Sequence, residues 1–555
     1  MKKMGLGLLI IGLRVFASDY PIVVRGADEA SYTPQNLRPG IVKSKESYDT
    51  VIVGSGLAGL SAAVYLTDNG QRVLLLEKES ELGGLAAGGV AKGSAFGRGA
   101  AYWTRAYEEE FEILKHIGLS EYEKRYPITE PIDSYLWDGH LYLGIWEEET
   151  LKELPASFAL FKHELEFADK DGLIPNQPFE MQDNLDLDSL DGTSWIRQMP
   201  LQTAKREDEE SKAIWERFQK DPKIDRNDPM GDVIGLMNQY TRSALGTTPD
   251  KVSAVAFANF YISELEIRYT TETGTGGAAE HMVEMLLKRN KLAKLTTRAT
   301  VTRMESRKQS VKVRYVQDNV IHEATAKYGV FAGALRLAPK IILGFKEKEQ
   351  KRTEILNRLQ YAHYSVHNVH VKGHPYRATY DTWTKMPDGT LSDFSDLILG
   401  RWMDPKIRGY EGMRDFKKDP DDDEGVLSIY HPLSLDEVGR GFTESRARAL
   451  AEDAVTKMVK WFGPLLHDHW GTKIEIRSVE TNRWPYSIHV AAPGHFSHDA
   501  ELLRKPYGRI FFANNNIGTP AFEEALFRGH CAANNILSRR NKTFKNESWS
   551  RCPID

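Results

Sequence analysis

Cysteine is almost absent. Cys531 and Cys552 are the only two in 555 residues, which excludes a disulfide framework. Whether these two pair is a question of geometry that spacing does not answer. A basic excess is also lacking. Lys and Arg number 73 against 78 Asp and Glu, a formal charge of −5, and no basic stripe appears, so nucleic acid is not an expected partner. The N-terminal apolar run, Met4 to Leu13, is too short to span a bilayer. No internal repeat is visible. The histidines have no metal-site company: His363, His367 and His370 have no cysteine or carboxylate to complete a site, so no metal is expected.

The sequence does have ordinary globular balance, 41% hydrophobic and 27% charged residues, over a length that suits several domains. Lys2 and Lys3 precede the short apolar run, and Val15-Phe-Ala17 follows it, with Arg14 between. Residues 1–17 therefore read as a signal peptide, and the chain as exported, periplasmic or secreted; the competing reading is a disordered N-terminus or an uncleaved surface anchor, with the chain otherwise cytoplasmic. No twin-arginine pair accompanies it. Asn541-Lys-Thr543 and Asn546-Glu-Ser548 are glycosylation acceptors only in a eukaryotic secretory pathway.

The most informative stretch is Asp49-Thr-Val-Ile-Val-Gly54-Ser55-Gly56-Leu-Ala58-Gly59. It predicts a short buried strand, a glycine turn and a helix over about 57–67, stopped by Asn69-Gly70. A second strand, Gln71 to Leu76, ends on Glu77 and Lys78, and Gly83-Gly84 follows. Each glycine has a separate task. Gly54 permits the turn, Gly56 lets backbone approach a pyrophosphate, and Gly59 lets helix pack on strand. The helix N-terminus favours phosphate charge. Glu77 lies at the spacing where a carboxylate reaches ribose hydroxyls, which fits FAD or NAD better than NADP.

The fold class read from the chain is α/β. Its nucleotide domain is Rossmann-like and assembled from discontinuous segments, 49–130, 268–345 and 481–540. An α+β substrate domain is interleaved at 131–267 and 346–480. Residues 18–48 read as an extended N-terminal arm and 541–555 as a tail. Later strands are expected at 299–302, 311–315, 328–332 and 509–513, and helices at 278–288 and about 522–537. Asp191-Gly-Thr-Ser194 reads as a helix start. Glu207 to Arg217 reads as a solvated helix face, and Asp419 to Gly425 as an acidic loop.

These motifs together resemble the flavin-dependent amine oxidase superfamily, which includes monoamine and polyamine oxidases, L-amino acid oxidases, protoporphyrinogen oxidase and carotenoid desaturases. The glycine turn with Glu77 and Gly83-Gly84 carries the resemblance first. Phe96-Gly-Arg-Gly99-Ala100-x-x-Trp103 is similar to the family segment running toward the flavin. Thr300-Val301 is similar to the place where backbone meets adenine, and Phe512-Ala-Asn-Asn515 with Glu523-Glu-Ala525-x-x-x-Gly529 to the closing motif under the flavin. The resemblance implies FAD, hydride transfer from substrate carbon to flavin N5, and an electron acceptor, oxygen or another. Gly54, Ser55, Gly56, Ala58, Gly59, Glu77, Lys78, Gly83, Gly84, Gly99, Ala100, Val301, Asn515, Ala521 and Phe522 are the expected cofactor contacts. No cysteine stands in the closing motif, so the implied FAD is non-covalent.

The chain also departs from the family. Leu85 stands where many members carry a basic residue, Asn514-Asn515 replaces Gly-Glu, and Glu524 replaces a glycine. In Tyr361 to His370, read as a strand, His367 aligns with the lysine that marks many amine oxidases. Trp484-Pro-Tyr486 and Gly494-His495 are similar to elements of protoporphyrinogen oxidase. His367, Trp484 and Tyr486 are the residues expected at the reactive face; the competing reading is that they fill a core. Glu523 is read either as a helix N-cap or as a flavin contact. Three functions stay open: oxidation of an amine or amino acid, C–C desaturation or protoporphyrinogen-type oxidation of a large apolar substrate, and a structural FAD.

Overall fold

The structure is a computed structural model and describes residues 20–26, 37–91, 94–104, 108–119, 126–128, 133–137, 139–175, 186–372, 380–385, 394–399, 424–438, 441–470, 475–540 and 552. The expected leader at 1–17, the acidic stretch 419–423 and the acceptor residues Asn541 and Asn546 lie outside these residues.

The first strand, Tyr48–Val53, is the apolar run Thr50-Val-Ile-Val53 with two residues added, and its core is buried on both faces as a central parallel strand must be. It lies between Val73–Leu76 and Val320–Phe331, parallel to both, and Ala293–Thr296 extends the parallel set beyond Val73–Leu76. Val320–Phe331 turns the sheet mixed: its first part pairs antiparallel with Val311–Gln317, which pairs in turn with Thr300–Ser306. Its last residues, Gly329 to Phe331, pair parallel with Ile510–Phe512 near the C-terminus. The sequence expectations of strands around 300, 311, 328 and 510 correspond to these four.

Helix Leu57–Asp68 covers one face of this sheet, beside Gly276–Lys288 and the closing helix Phe522–Arg540. Leu57–Asp68 is buried along nearly its whole length, because it is clamped between the sheet and the closing helix. Gly529 makes that clamp possible. A Cβ there would stand 2.2 Å from the Ala58 carbonyl oxygen and 2.8 Å from the Ser61 Cβ. Cys531 of the closing helix is disulfide-bonded to Cys552, which secures a residue near the chain end to the same core.

A second sheet carries the other half. Its strand order is Ile22–Arg25, Glu475–His489, Tyr361–Lys372, Glu424–Pro432, Asp396–Leu399, Asp381–Lys385, Asp133–Trp137 and His140–Leu143. Helices from the middle of the chain pack a separate aromatic-rich core beside it. Asp191 caps one of them, Gly192–Thr203, by accepting from the Ser194 N–H at 2.8 Å. The charged segment forms helix Glu209–Lys220, starting two residues later than its sequence pattern begins, because Asp208 is the cap.

Two boundaries differ from the sequence reading. Residues 18–48 are not one arm: Ile22–Arg25 adds to the second sheet and Ile41–Lys43 to the first. Strand Glu475–His489 runs unbroken through the expected boundary at 480/481, because its partner Tyr361–Lys372 pairs with it in continuous register from Tyr364–Trp484 to His370–Ser478, across that point.

Candidate active site

Two features meet at the interface between the sheets: a glycine-lined corner on the first and a cavity against the second. The corner begins at Gly54, whose φ of +99° needs glycine, and whose added Cβ would lie 2.8 Å from the Ala332 carbonyl oxygen. At Gly59 a Cβ would stand 2.0 Å from the Gly54 oxygen, so helix and strand touch there. Gly56 is different. It is the N-cap of Leu57–Asp68, no side chain caps that helix, and a Cβ at Gly56 would meet nothing within 4 Å. The free N–H groups of the first turn therefore face open space, which is the seat an anion requires.

Glu77 closes this corner. It is buried, and its Oε2 accepts from the Ser55 N–H at 2.8 Å and the Ser55 hydroxyl at 2.7 Å, while Oε1 accepts from the Glu79 N–H at 2.9 Å. The carboxylate thus fixes the turn while keeping lone pairs for a further donor. Ala299 donates to the Glu77 carbonyl at 2.7 Å, which brings Val301 alongside the same acidic end. Gly83 and Gly84 both have positive φ, and Gly84 packs on the Gly56 Cα. Lys78 points out and pairs with the exposed carboxylate of Glu79, so its side chain is turned from the corner.

The cavity encloses about 170 Å³. Gly99, Ala100, Ala521 and Phe522, all expected cofactor contacts, line it together with Trp103 and Glu523. Gly99 is there by necessity: a Cβ would lie 2.2 Å from the Leu85 oxygen. Phe522 stacks on Trp103 with ring centroids 4.8 Å apart, joining two segments that are far apart in sequence. Glu523 accepts from the Thr104 N–H at 2.9 Å, so it holds the two segments together from the first turn of its helix. Beneath, Asn514 caps the turn Asn515–Ile517 by accepting from the Asn516 N–H, and Asn515 is half-buried at its start. Glu524, unusual against the family pattern, is wholly buried and bonded to Arg528 at 2.7 Å. Burial raises its pKa against the pull of Arg528 and Arg504.

The opposite wall comes from the second sheet and the middle helices. Tyr364 and Tyr430, with Trp383 and Trp484, give it aromatic faces. Tyr430 donates to the Gly99 carbonyl at 2.8 Å, and the Trp484 indole donates to the Arg98 carbonyl at 2.5 Å, so this wall is tied to the glycine segment. Glu264 and Asp396 are its carboxyls. Burial lifts Glu264 to about 7 against the attraction of Arg268, and lifts Asp396 to about 7 against the hydrogen bonds of Ser395 and Ser243. No lysine, arginine or histidine is among the described residues lining the cavity.

Of the three residues read at the reactive face, Trp484 lines the cavity and His367 and Tyr486 do not. His367 shares its strand with Tyr364, and an odd spacing puts the two on opposite faces. The His367 ring is fully buried between Thr481 at 3.2 Å and His431 at 3.3 Å. Burial, and after it His431, holds His367 well below its ordinary pKa, so it is a neutral sheet residue. Tyr486 is displaced by a bulge. Ala362 pairs with Ile488 and Tyr364 with Trp484, so three residues oppose one, and Tyr486 has φ +51°. Its ring turns to His363 and under the Arg336 guanidinium, 3.7 Å away, while Ser487 takes the cavity position.

The sequence reading missed Glu264, Asp396, Tyr364 and Tyr430. One signal was present: Glu264 ends the nearly all-apolar helix Ala254–Glu264, with Arg268 four residues on. A carboxylate on such a helix is buried and needs a partner. Asp396 had no local signal.

A model of the family "Flavin containing amine oxidoreductase" matches residues 57–537, most of the chain. The chain belongs to this family. Membership makes it a flavin-containing oxidoreductase. Among solved structures, cyclohexylamine oxidase from Brevibacterium oxydans IH-35A is similar over 89% of this chain and 100% of its own, at TM-score 0.58 and 18% identity. A fatty acid isomerase from P. acnes has TM-score 0.58 and 14% identity over 89% of this chain and 98% of its own. Both show the fold alone. A fumarate reductase (cytochrome) of Shewanella frigidimarina is 54% identical over 48 residues, which is 8% of this chain and 8% of that protein. The residues present fit the family's flavin: the uncapped helix start faces open space at Gly56, and the cavity adjoins the glycine segment. Among the described residues no helix is long and apolar enough to cross a membrane, and no cluster of His, Cys, Asp or Glu suits a metal.

Proposed function

We propose that the chain binds FAD non-covalently and oxidises a C–N bond of a cationic amine that has no carboxylate of its own. The charge of the cavity wall carries this reading. Its lining acids are Glu264, Asp396 and Glu523, its aromatic faces are numerous, and no lysine, arginine or histidine is among the described residues that line it. An ammonium group is attracted by carboxylates and by ring faces alike. The carboxylate of an amino acid or fatty acid would meet like charge there with no guanidinium to receive it. Arg268 is bonded to Asp133 and Glu264 and does not line the cavity.

The dinucleotide form is supported by Glu77, whose position at the end of the second strand suits a ribose, and by Val301 beside it. Non-covalent binding is supported by the cysteines: neither lines the cavity, and they are bonded to each other. Bound flavin supplies a two-electron acceptor for the substrate carbon and passes electrons onward. The chain's own residues orient the substrate. Trp484, Tyr364 and Tyr430 exclude water and align the carbon, and Glu264 and Asp396 face the substrate nitrogen. The second reading, desaturation of an apolar substrate, is favoured by Ala244, Phe260, Ile398 and Ile488 in the same wall. Export to an oxidising compartment remains our proposal; the N-terminal pattern and the Cys531–Cys552 disulfide support it, and N-terminal sequencing of the mature protein tests it.

The purified yellow holoenzyme is mixed anaerobically with cyclohexylamine, benzylamine and putrescine, with phenylalanine, and with a polyene. Bleaching by the amines is expected. Bleaching only by phenylalanine or only by the polyene refutes the amine reading. Acid precipitation should leave the flavin in the supernatant; colour in the pellet refutes non-covalent binding.

A further inference from the structure

A second cavity, of about 270 Å³, lies behind the first. Its walls include Asp133, Trp146, Glu147, Lys162 and Glu166, and it reaches solvent where Glu147 and Glu166 are exposed. Glu264 lines both cavities. It is the last residue of helix Ala254–Glu264, and it borders both an aromatic-walled cavity and an acidic one.

The groups around Glu264 come from every neighbouring element. Tyr102 donates to Oε2 at 2.9 Å. The Arg268 guanidinium, wholly buried, is 2.5 Å from Glu264, holds Asp133 through two bonds of 2.9 and 2.7 Å, and lies 4.0 Å from Asp381. Tyr240, Tyr261, Tyr380 and Asp396 also act on this cluster. One guanidinium cannot neutralise three carboxylates away from water, so the cluster retains a proton that is exchangeable near neutrality. Glu264 Oε1, which is buried, has no hydrogen-bond partner among the described residues.

We propose that Glu264 is a proton relay between the two cavities. This rests on the amine reading above. A primary amine arrives as R–CH2–NH3+, and only its neutral form has the lone pair that assists loss of hydride from carbon. The Glu264 carboxylate takes one proton from the ammonium, giving R–CH2–NH2 and a protonated Glu264. That carboxylic acid then releases the same proton to bulk water or a buffer base entering the outer cavity. Charge leaves the aromatic-walled cavity as a proton, through the one side chain that borders both cavities. A pKa near 7 suits both steps, since a relay must accept and release at comparable rates.

The test uses the holoenzyme and whichever of cyclohexylamine, benzylamine and putrescine bleaches it fastest, with rapid anaerobic mixing from pH 7 to 10. In Glu264→Gln the reduction rate should fall at least about tenfold at pH 7 and return toward wild type near pH 10, where amines of pKa about 10 are already half neutral in solution. Glu166→Trp, at the exposed mouth of the outer cavity, leaves Glu264 in place and should give a smaller loss confined to low pH. Structural damage would lower the rate equally at every pH. A uniform loss, or no loss, in Glu264→Gln refutes the relay; if that variant does not hold flavin, the absence of a pH-selective loss in Glu166→Trp refutes it. If none of the three amines bleaches the wild type, the amine reading itself fails and takes the relay with it.

Discussion

Gly529→Ala tests how the closing helix and the first helix share one contact. On an isolated helix the change would stabilise by about 1 kcal/mol, because alanine loses less backbone freedom than glycine. Here the added methyl would stand 2.2 Å from the Ala58 carbonyl oxygen and 2.8 Å from the Ser61 Cβ. Both neighbours are at the buried start of Leu57–Asp68, and an ordinary contact begins at 3.4 Å. The helices must therefore part by roughly 1 Å, and overpacking of this kind costs about 1–3 kcal/mol, at the upper end because the obstacle is backbone. The sign reverses, and a net loss of about 2 kcal/mol is expected after the propensity gain is subtracted. Because the displaced segment carries the uncapped N–H groups after Gly56, flavin affinity should also fall, by at least about tenfold. Thermal unfolding of the flavin-free protein measures the first effect and fluorescence titration of flavin the second. Unchanged affinity with unchanged melting would refute the claim that this glycine sets the position of the phosphate seat.

Three further outcomes follow from the same geometry. Glu77→Gln replaces an acceptor of three donors by a group with one acceptor oxygen, leaving a buried donor unpaired, so flavin titration should show a Kd about tenfold or more higher; an unchanged Kd refutes Glu77 as keystone of the turn. Asp396 is raised by burial from 3.8 to about 7, so between those values the unfolded chain has released its proton while the folded chain keeps it, and stability falls as pH rises through that window; melting of Asp396→Asn relative to wild type should therefore improve from pH 5 to pH 8, by up to about 2.5 kcal/mol, and a flat difference refutes the burial argument. Cys531→Ser opens a disulfide spanning 21 residues and should cost roughly 3 kcal/mol in denaturant unfolding, with no further loss on adding reductant; a variant as stable as wild type would show that the tail adds nothing to the core.

The parts legible in sequence were those whose chemistry is local. The turn from Gly54 to Glu77 is one continuous unit with a fixed order of strand, glycine and helix, and its helix is found one residue longer than its sequence pattern. The closing motif was readable because Gly529 and Phe522 answer local packing needs. The cavity wall was not readable. Glu264, Tyr364, Asp396 and Tyr430 come from four segments that meet only through sheet pairing and helix packing. His367 shows how small the error can be: its strand was right, and parity alone sends its ring into the sheet while Tyr364 faces the cavity. Tyr486 fails for a related reason, since a bulge shifts the alternation that carries Trp484 inward, and nothing local announces one.

Strand Val320–Phe331 has a consequence for how the molecule is made. It pairs with Ile41–Lys43 and Tyr48–Val53 from near the start of the chain and with Ile510–Phe512 from near its end. During synthesis the early strands wait for this one, and the second edge of this one, covered early by Val311–Gln317 along its first part, waits for the last fifty or so residues at Gly329 to Phe331. Until then a growing chain presents a short bare edge at Gly329 to Phe331, the kind of surface that recruits partners or aggregates. Folding and flavin capture are therefore late, nearly simultaneous events, and a chain shortened by its closing strand and helix would be left with a glycine turn but no stable seat for the cofactor.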